Sequence, residues 1–269
     1  MDKQANNTPA RMKTHRVALI KDSQLVFPDL WFEVFIAGDE YEERAFANMF
    51  IHAQCRKAKT PETADLVVFT GGPDVDPALY GQTPHESTKV SPDRDKADLE
   101  LYALCLEKGI PMFGVCRGAQ FLHVMNGGEL YQDIDNHYQD HLIYDPVEHR
   151  VIQKVSSVHH QMCIRNKKMT VIAENGDARE RWLNASQFES GKFMDVEGFW
   201  YRDTCCLGVQ GHPEYRGYNH FMQWTLGRID KYINENPDIE NRDGYRRIKQ
   251  SILDERKMMR QENMQKEYN

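Results

Sequence analysis

The sequence predicts an α/β fold built on a largely parallel sheet with helices on both faces. Three observations carry that reading: short apolar runs recur along the chain, helical stretches stand between them, and glycines close the joints. HRVALI (15–20), ADLVVF (64–69), PMFGV (111–115) and TCCLGVQ (204–210) are rich in Val, Leu and Phe and read as buried strands. DRDKADLELYALCLEKG (93–109) crowds Leu99, Leu101, Ala103, Leu104 and Leu106 toward one side of a helix, with Gly109 to stop it. RGAQFLHVMNGG (117–128) is a second helical stretch, ended by two glycines. Strands alternating with helices imply parallel pairing, because a parallel crossover needs a connection as long as a helix. Residues 143–200 read as strand-like and loop-rich, a decoration on that sheet. Cys205 and Cys206 fall within the last strand, with side chains on opposite faces.

A chain of 269 residues with 40% hydrophobic residues can bury a sizeable core. No run reaches the length of a membrane span, and residues 1–14 lack the apolar centre of a signal peptide. The expected compartment is the cytosol, with residues 1–14 a disordered terminus. The formal charge of −7 argues against a nucleic-acid binder, whose affinity rests on clustered Lys and Arg, and makes a small molecule or a protein the expected partner. Six cysteines at irregular spacing in a chain of this size read as thiols. From Ile229 to Asn269 the chain turns charged, with Tyr245, Ile248, Ile252 and Met259 at roughly helical intervals. This tail is either a solvated terminal helix or a docking helix for another copy or a partner enzyme.

GVCRGAQ (114–120) carries the chemistry. A thiol on a sharp strand-to-helix corner crowds the positions two before and two after it, which accounts for Gly114 and Gly118. The helix that begins at Arg117 places partial positive charge and unpaired N–H groups beside the sulfur of Cys116. In GVQGHPEY (208–215) a strand runs into His212 and Glu214. Two parallel strands ending at Cys116 and His212 bring thiol and imidazole to one edge of the sheet, where His212 can act as base and Glu214 can hold its other ring nitrogen. TGGPDVDPALYG (70–81) follows a third strand, so that the amides of Gly72 and Arg117 can form a two-donor oxyanion hole. His159 and His160 suggest a metal pair, but neighbours on an extended segment point apart. His123 reads as a packing histidine, and Arg94 as part of a helix start that can also brace the Asp74 loop.

Together these stretches, with SPDRDKADLELYAL, IPMFGVCRGAQFLHVMNGGELYQDI and VSSVHHQ, resemble the class I glutamine amidotransferase-like superfamily. More narrowly they resemble its γ-glutamyl-γ-aminobutyrate hydrolase branch, peptidase family C26, over roughly His15 to Leu226. The resemblance implies a flavodoxin-like domain spanning 15–228, followed by the charged tail 229–269. It also implies a Cys116, His212, Glu214 triad cleaving glutamine or a γ-glutamyl amine without cofactor or metal. Gln120 and the backbone around His160 and Gln161 are implied to hold the glutamyl head. Relatives carry a large residue just before HPE; Gly211 stands there in this chain and leads to the expectation of open space on the leaving-group side. Ser156 replaces a typical Asn. Too little chain follows His212 for a synthetase domain, so the rival readings are a glutaminase subunit feeding a separate synthetase and a catalytically weak sensor on the same scaffold.

Overall fold

The computed structural model describes residues 25–176, 180–191 and 194–235. The expected strand HRVALI, the terminus 1–14 and the tail from 236 onward lie outside the described residues. Among the described residues, nine strands make one sheet: β1 (Glu33–Ala37), β2 (Arg56–Lys57), β3 (Leu66–Phe69), β4 (Met112–Val115), β5 (His141–Asp145), β6 (Arg150–Val155), β7 (Thr170–Asn175), β8 (Asp195–Tyr201) and β9 (Cys206–Val209). Their order is β2-β1-β3-β4-β9-β8-β7-β5-β6. The first five pair in parallel, in the 2-1-3-4-5 order of flavodoxin-like folds. The other four continue the sheet antiparallel.

Helices α1 (Glu40–Ile51), α2 (Pro92–Lys108), α3 (Arg117–Met125) and α4 (Asn219–Ile229) cover the parallel half. The alternation of strand side chains divides the core in two. Leu66, Val68, Phe113, Val115, Leu207 and Val209 pack in one cluster with Phe46 and Phe50 of α1 and Phe221 and Trp224 of α4. Val67, Phe69, Met112 and Cys206 face the other way, against Tyr102 and Cys105 of α2 and Phe121 and Leu122 of α3. Both faces are therefore buried, which explains strands that read as unbroken apolar runs.

Four local expectations are corrected. Residues 143–200 do more than decorate the sheet, since β6, β7, β8 and most of β5 come from them. Helix α2 buries Asp95, Asp98, Tyr102 and Cys105, while Leu106 is exposed. The helix turns its acidic stripe inward because a buried arginine waits there. Cys205 is not in the last strand: it sits in a turn at φ 51°, its carbonyl accepting from the Met112 N–H at 2.9 Å, and β9 starts one residue later. At the far end the packed body runs on beyond 228, with Ile229 and Ile233 both buried and the helix closing in a π turn at Asp230–Asn234.

Candidate active site

Strand β4 ends at Val115, and Cys116 follows with φ 53° and ψ −115°. Such backbone costs of order 1–3 kcal/mol and persists only where its surroundings fix it. Here the Cys116 N–H donates to the Val209 carbonyl at 2.9 Å, and its own carbonyl accepts from the Gln120 N–H at 3.0 Å. A Cβ on Gly114 would lie 2.6 Å from the Ala119 nitrogen and the Gly118 backbone, and one on Gly118 would strike the Phe69 carbonyl. Any side chain at either position would push α3 off the sheet. Cys116 remains partly exposed on this corner.

The side chain of Arg117 points inward and is buried. It donates to both Asp95 and Asp98, and its Nε donates to the Pro73 carbonyl at 3.1 Å. Arg94 joins the same network, bonding Asp98 at 3.1 Å, the Thr70 hydroxyl at 3.0 Å and the Thr70 carbonyl at 3.3 Å. The two arginines thus fasten the loop after β3 to α2 and to the start of α3. On that loop Gly72 has φ 139°, a conformation glycine alone adopts readily, and a Cβ there would lie 3.3 Å from an Arg94 nitrogen. Gly72 and Arg117, the expected oxyanion-hole residues, therefore stand on segments clamped together. The first-turn N–H of Arg117 has no acceptor within its own helix.

His212 follows β9, and its Nδ1 lies 2.7 Å from Glu214 Oε1. Its backbone N–H donates to the Ser156 hydroxyl at 2.7 Å, and Tyr215 stacks on the ring at 4.4 Å and 11°. A Cβ on Gly71 would lie 3.2 Å from His212 Cε1, so the glycine loop lies directly against the imidazole. Burial lowers the pKa of His212, but hydrogen bonds with Cys116 and Glu214 and their charges outweigh it, raising the group to about 10. The fold thus brings Cys116, at the carboxyl end of β4, beside the His212–Glu214 pair, which lies nearly a hundred residues further along the chain at the end of the parallel neighbour β9.

The substrate residues divide. Gln120 Nε2 donates to the Gln161 carbonyl at 3.0 Å. The His160 carbonyl accepts from the Ile134 N–H at 2.8 Å, so both carbonyls are engaged. The Gln161 side chain is fully buried, and both ends of its amide lack a partner. The His160 ring bridges Asp74 at 3.1 Å and Asp133 at 3.0 Å, and these carboxylates raise its pKa against the opposing effect of burial. His159 points the other way, with Nδ1 3.1 Å from the Gln161 carbonyl. His123 is a packing residue, bonded to the Tyr201 hydroxyl at 2.8 Å and the Glu129 carbonyl at 3.0 Å, and burial depresses its pKa to about 4. A surface hollow lined by Pro146, Arg165, Met169 and Glu174 contains none of these groups.

The open space expected at Gly211 is absent. A Cβ there would lie 2.6 Å from Val155 Cγ1, 2.8 Å from the Ser156 carbonyl and 3.0 Å from Phe221. Gly211 is small because β6 and α4 close on it, so a large side chain at that position disrupts packing instead of shaping the pocket. Sequence reasoning also missed Tyr215 and the partners of Arg117, though Tyr215 directly follows the HPE motif.

Among the six cysteines, which form no disulfide, burial pushes the Cys55 and Cys206 thiols up to about 12 and raises that of Cys163. Cys105 is fully buried. Limited alkylation near neutral pH followed by peptide mapping is expected to label Cys116 first, ahead of the partly exposed Cys205. First labelling at Cys205 or a buried cysteine would remove the special status of the elbow.

A thiol on a tight strand–helix corner, joined to a His–Glu pair at the edge of a doubly wound sheet, defines the glutamine amidotransferase-like class of α/β proteins. Residues 51–214 match the model of the peptidase C26 family, and the chain belongs to that family. It is similar to the putative glutamine amidotransferase-like protein YvdE of Lactococcus lactis subsp. lactis, with 31% identity over 193 residues, 64% of this chain and 72% of that protein. A shorter match, 37% identical over 71 residues, joins 26% of this chain to 28% of the γ-glutamyl-γ-aminobutyrate hydrolase PuuD of Escherichia coli. A glutamine amidotransferase structure from Thermotoga maritima superposes with a TM-score of 0.45 at 19% identity, covering 74% of this chain and 83% of that one. Among the described residues no helix is long and apolar enough to cross a membrane.

Proposed function

We infer that this protein hydrolyses the γ-amide of glutamine or of γ-glutamyl amines through a thioester on Cys116. The observation that supports this reading is His212 hydrogen-bonded to Glu214 on one ring nitrogen and partnered by Cys116, with its pKa raised to about 10. Such an imidazole holds its proton in the resting site and can give it away only when the thiolate charge beside it is spent. The Cys116 sulfur attacks the γ-carbonyl carbon, and the amides of Gly72 and Arg117 hold the oxyanion. Removing one such donor costs about 2.7–4 kcal/mol of transition-state stabilisation. Collapse breaks the C–N bond as His212 passes its proton to the leaving amine. Neutral His212 then takes a proton from water, the hydroxide adds to the thioester, and cleavage of the C–S bond releases glutamate. The similarity to a γ-glutamyl-γ-aminobutyrate hydrolase favours a γ-glutamyl amine as substrate.

Gln161 supplies the substrate head with its natural partner. Its buried amide offers one donor end and one acceptor end without partners, which suits an α-carboxylate and an α-ammonium respectively. A substrate lacking the free head leaves both ends unsatisfied, and buried polar groups without partners are costly. Steady-state kinetics of the purified chain should therefore show turnover of γ-glutamyl amines and a fall in kcat/KM of about 10²-fold or more for an Nα-blocked substrate. Equal rates on blocked and free substrates would overturn the head-group assignment. Silence on every γ-glutamyl amide, relieved only by a synthetase partner, would make the protein a glutaminase subunit instead.

A further inference from the structure

We propose that His137, His141 and Glu197 bind one divalent transition-metal ion of the zinc type, held away from the reacting atoms and bracing the sheet that carries His212. The three side chains are 0%, 5% and 1% exposed. Their ligand atoms all lie within 4.8 Å of one another, and Glu197 Oε1 stands 3.2 Å from Nε2 of His137 and 3.2 Å from Nε2 of His141. Donors bound about 2.0–2.2 Å from a common tetrahedral centre are separated by roughly 3.4 Å, so little movement is needed to admit an ion.

Hydrogen bonding gives the second line of argument. His137 Nδ1 lies 2.9 Å from the Asp135 carbonyl, which can only accept, so Nδ1 carries the ring hydrogen. Nε2 therefore faces Glu197 Oε1 at 3.2 Å with a positive charge required between them, supplied either by a second ring proton that makes the hydrogen bond or by a metal ion. A carbonyl holding the remote nitrogen is also the usual outer partner of a metal-bound histidine. Despite its 3.2 Å approach, His141 Nε2 is not aligned for a hydrogen bond to Glu197, and neither of its ring nitrogens has a partner. Glu197 Oε2 is likewise unpartnered, as is Nε2 of buried His159, whose ring lies 5.0 Å from that of His137.

Protons alone satisfy this cluster poorly. Charging both rings would set two imidazoliums 5.2 Å apart around one carboxylate, and the next acid, Asp195, lies 3.9 Å from His137 Nε2 and already pairs with Arg181. One divalent ion neutralises Glu197 and occupies both nitrogen lone pairs together. Two histidines and a carboxylate form a donor set suited to zinc. The ion would join the loop at 135–137, β5 and β8. It would also fix the Glu197 backbone, whose carbonyl accepts from the Gln210 N–H at 2.9 Å, two residues before His212.

The test uses the full chain carrying Cys116→Ala, because the thiol beside His212 could itself hold zinc. After chelation and dialysis the protein is titrated with zinc chloride by calorimetry. The zinc-loaded form is then examined by X-ray absorption, which separates sulfur from nitrogen and oxygen neighbours. One equivalent should bind in a shell of nitrogen and oxygen with at least two imidazoles, and thermal stability should rise with added zinc. His141→Gln and the isosteric Glu197→Gln should each weaken binding by about 10–100-fold or more, no less than the loss of an outer partner. No binding, a shell containing sulfur, or unchanged affinity in both variants would overturn the site. The absorption measurement needs no site variant, so it decides even where a substitution impairs folding.

Discussion

Cys116→Ala and His212→Ala are each expected to reduce kcat on a γ-glutamyl amide by about 10⁶-fold, and the double variant to lose scarcely more. In the proposed mechanism the residues act as a unit, so losing one disables the rest. Glu214→Gln should cost less, about 10²–10⁴-fold, because it removes the charge that orients and stabilises imidazolium while leaving nucleophile and base in place. The pH profile provides the finer check. His212 is raised from 6.5 to about 10 in the fold, burial opposing and Cys116 and Glu214 prevailing. A group raised on folding contributes stability that is fully present below its unfolded pKa and disappears as pH climbs through the folded value. His212 should accordingly stabilise the protein up to neutral pH and lose that contribution between about 6.5 and about 10. Activity should fall on its alkaline limb over the upper part of that range, and Glu214→Gln should move the limb downward. An alkaline limb unmoved by Glu214→Gln, together with parental turnover, would take Glu214 out of the site.

Much of this arrangement was legible because its determinants are local. Gly114, Cys116 and Gly118 announce a strained corner whatever surrounds them, and the clash of a Cβ on Gly118 with Phe69 is the steric fact behind the pattern. His212 and Glu214 are two residues apart, so their pairing needs no knowledge of the fold. The first described strand and helix were less visible, although EVFIA alternates in burial and Asp39 with Glu42 makes a capping box that the sequence displays. Other features were hidden because they depend on tertiary partners. The charged face of α2 looks solvent-directed until Arg117 supplies its counter-charge, and Gly211 looks like room until β6 and α4 are seen to fill it. The cluster of His137, His141 and Glu197 draws on residues sixty positions apart, beyond any spacing rule.

Arg117→Met is expected to destabilise the fold by about 3–5 kcal/mol, the usual cost of removing one partner from a buried ion network. The guanidinium is 2% exposed at the side chain and faces Asp95 and Asp98, whose side chains are 6% and 3% exposed. Burial already raises the pKa of Asp95, with the charge of Arg117 pulling it back down. Without Arg117 that carboxyl must take up a proton or remain a buried charge, and Arg94 alone faces Asp98. Methionine fills similar space but donates nothing to the Pro73 carbonyl, now bonded at 3.1 Å, so the loop bearing Gly72 also loses its tie to α3. Stability and catalysis should therefore separate on repair. Adding Asp95→Asn and Asp98→Asn removes the stranded charges and should recover most of the stability, because a buried network replaced as a whole is often nearly neutral. It cannot restore the tether between Gly72 and Arg117, the proposed oxyanion donors, so kcat should stay depressed by about 10²-fold or more, comparable to the loss of one donor. Denaturant unfolding and steady-state kinetics on the single and triple variants measure both quantities. Full recovery of kcat in the triple variant would show that Arg117 serves the fold alone, and an unchanged midpoint in Arg117→Met would show that the buried network contributes no net stability.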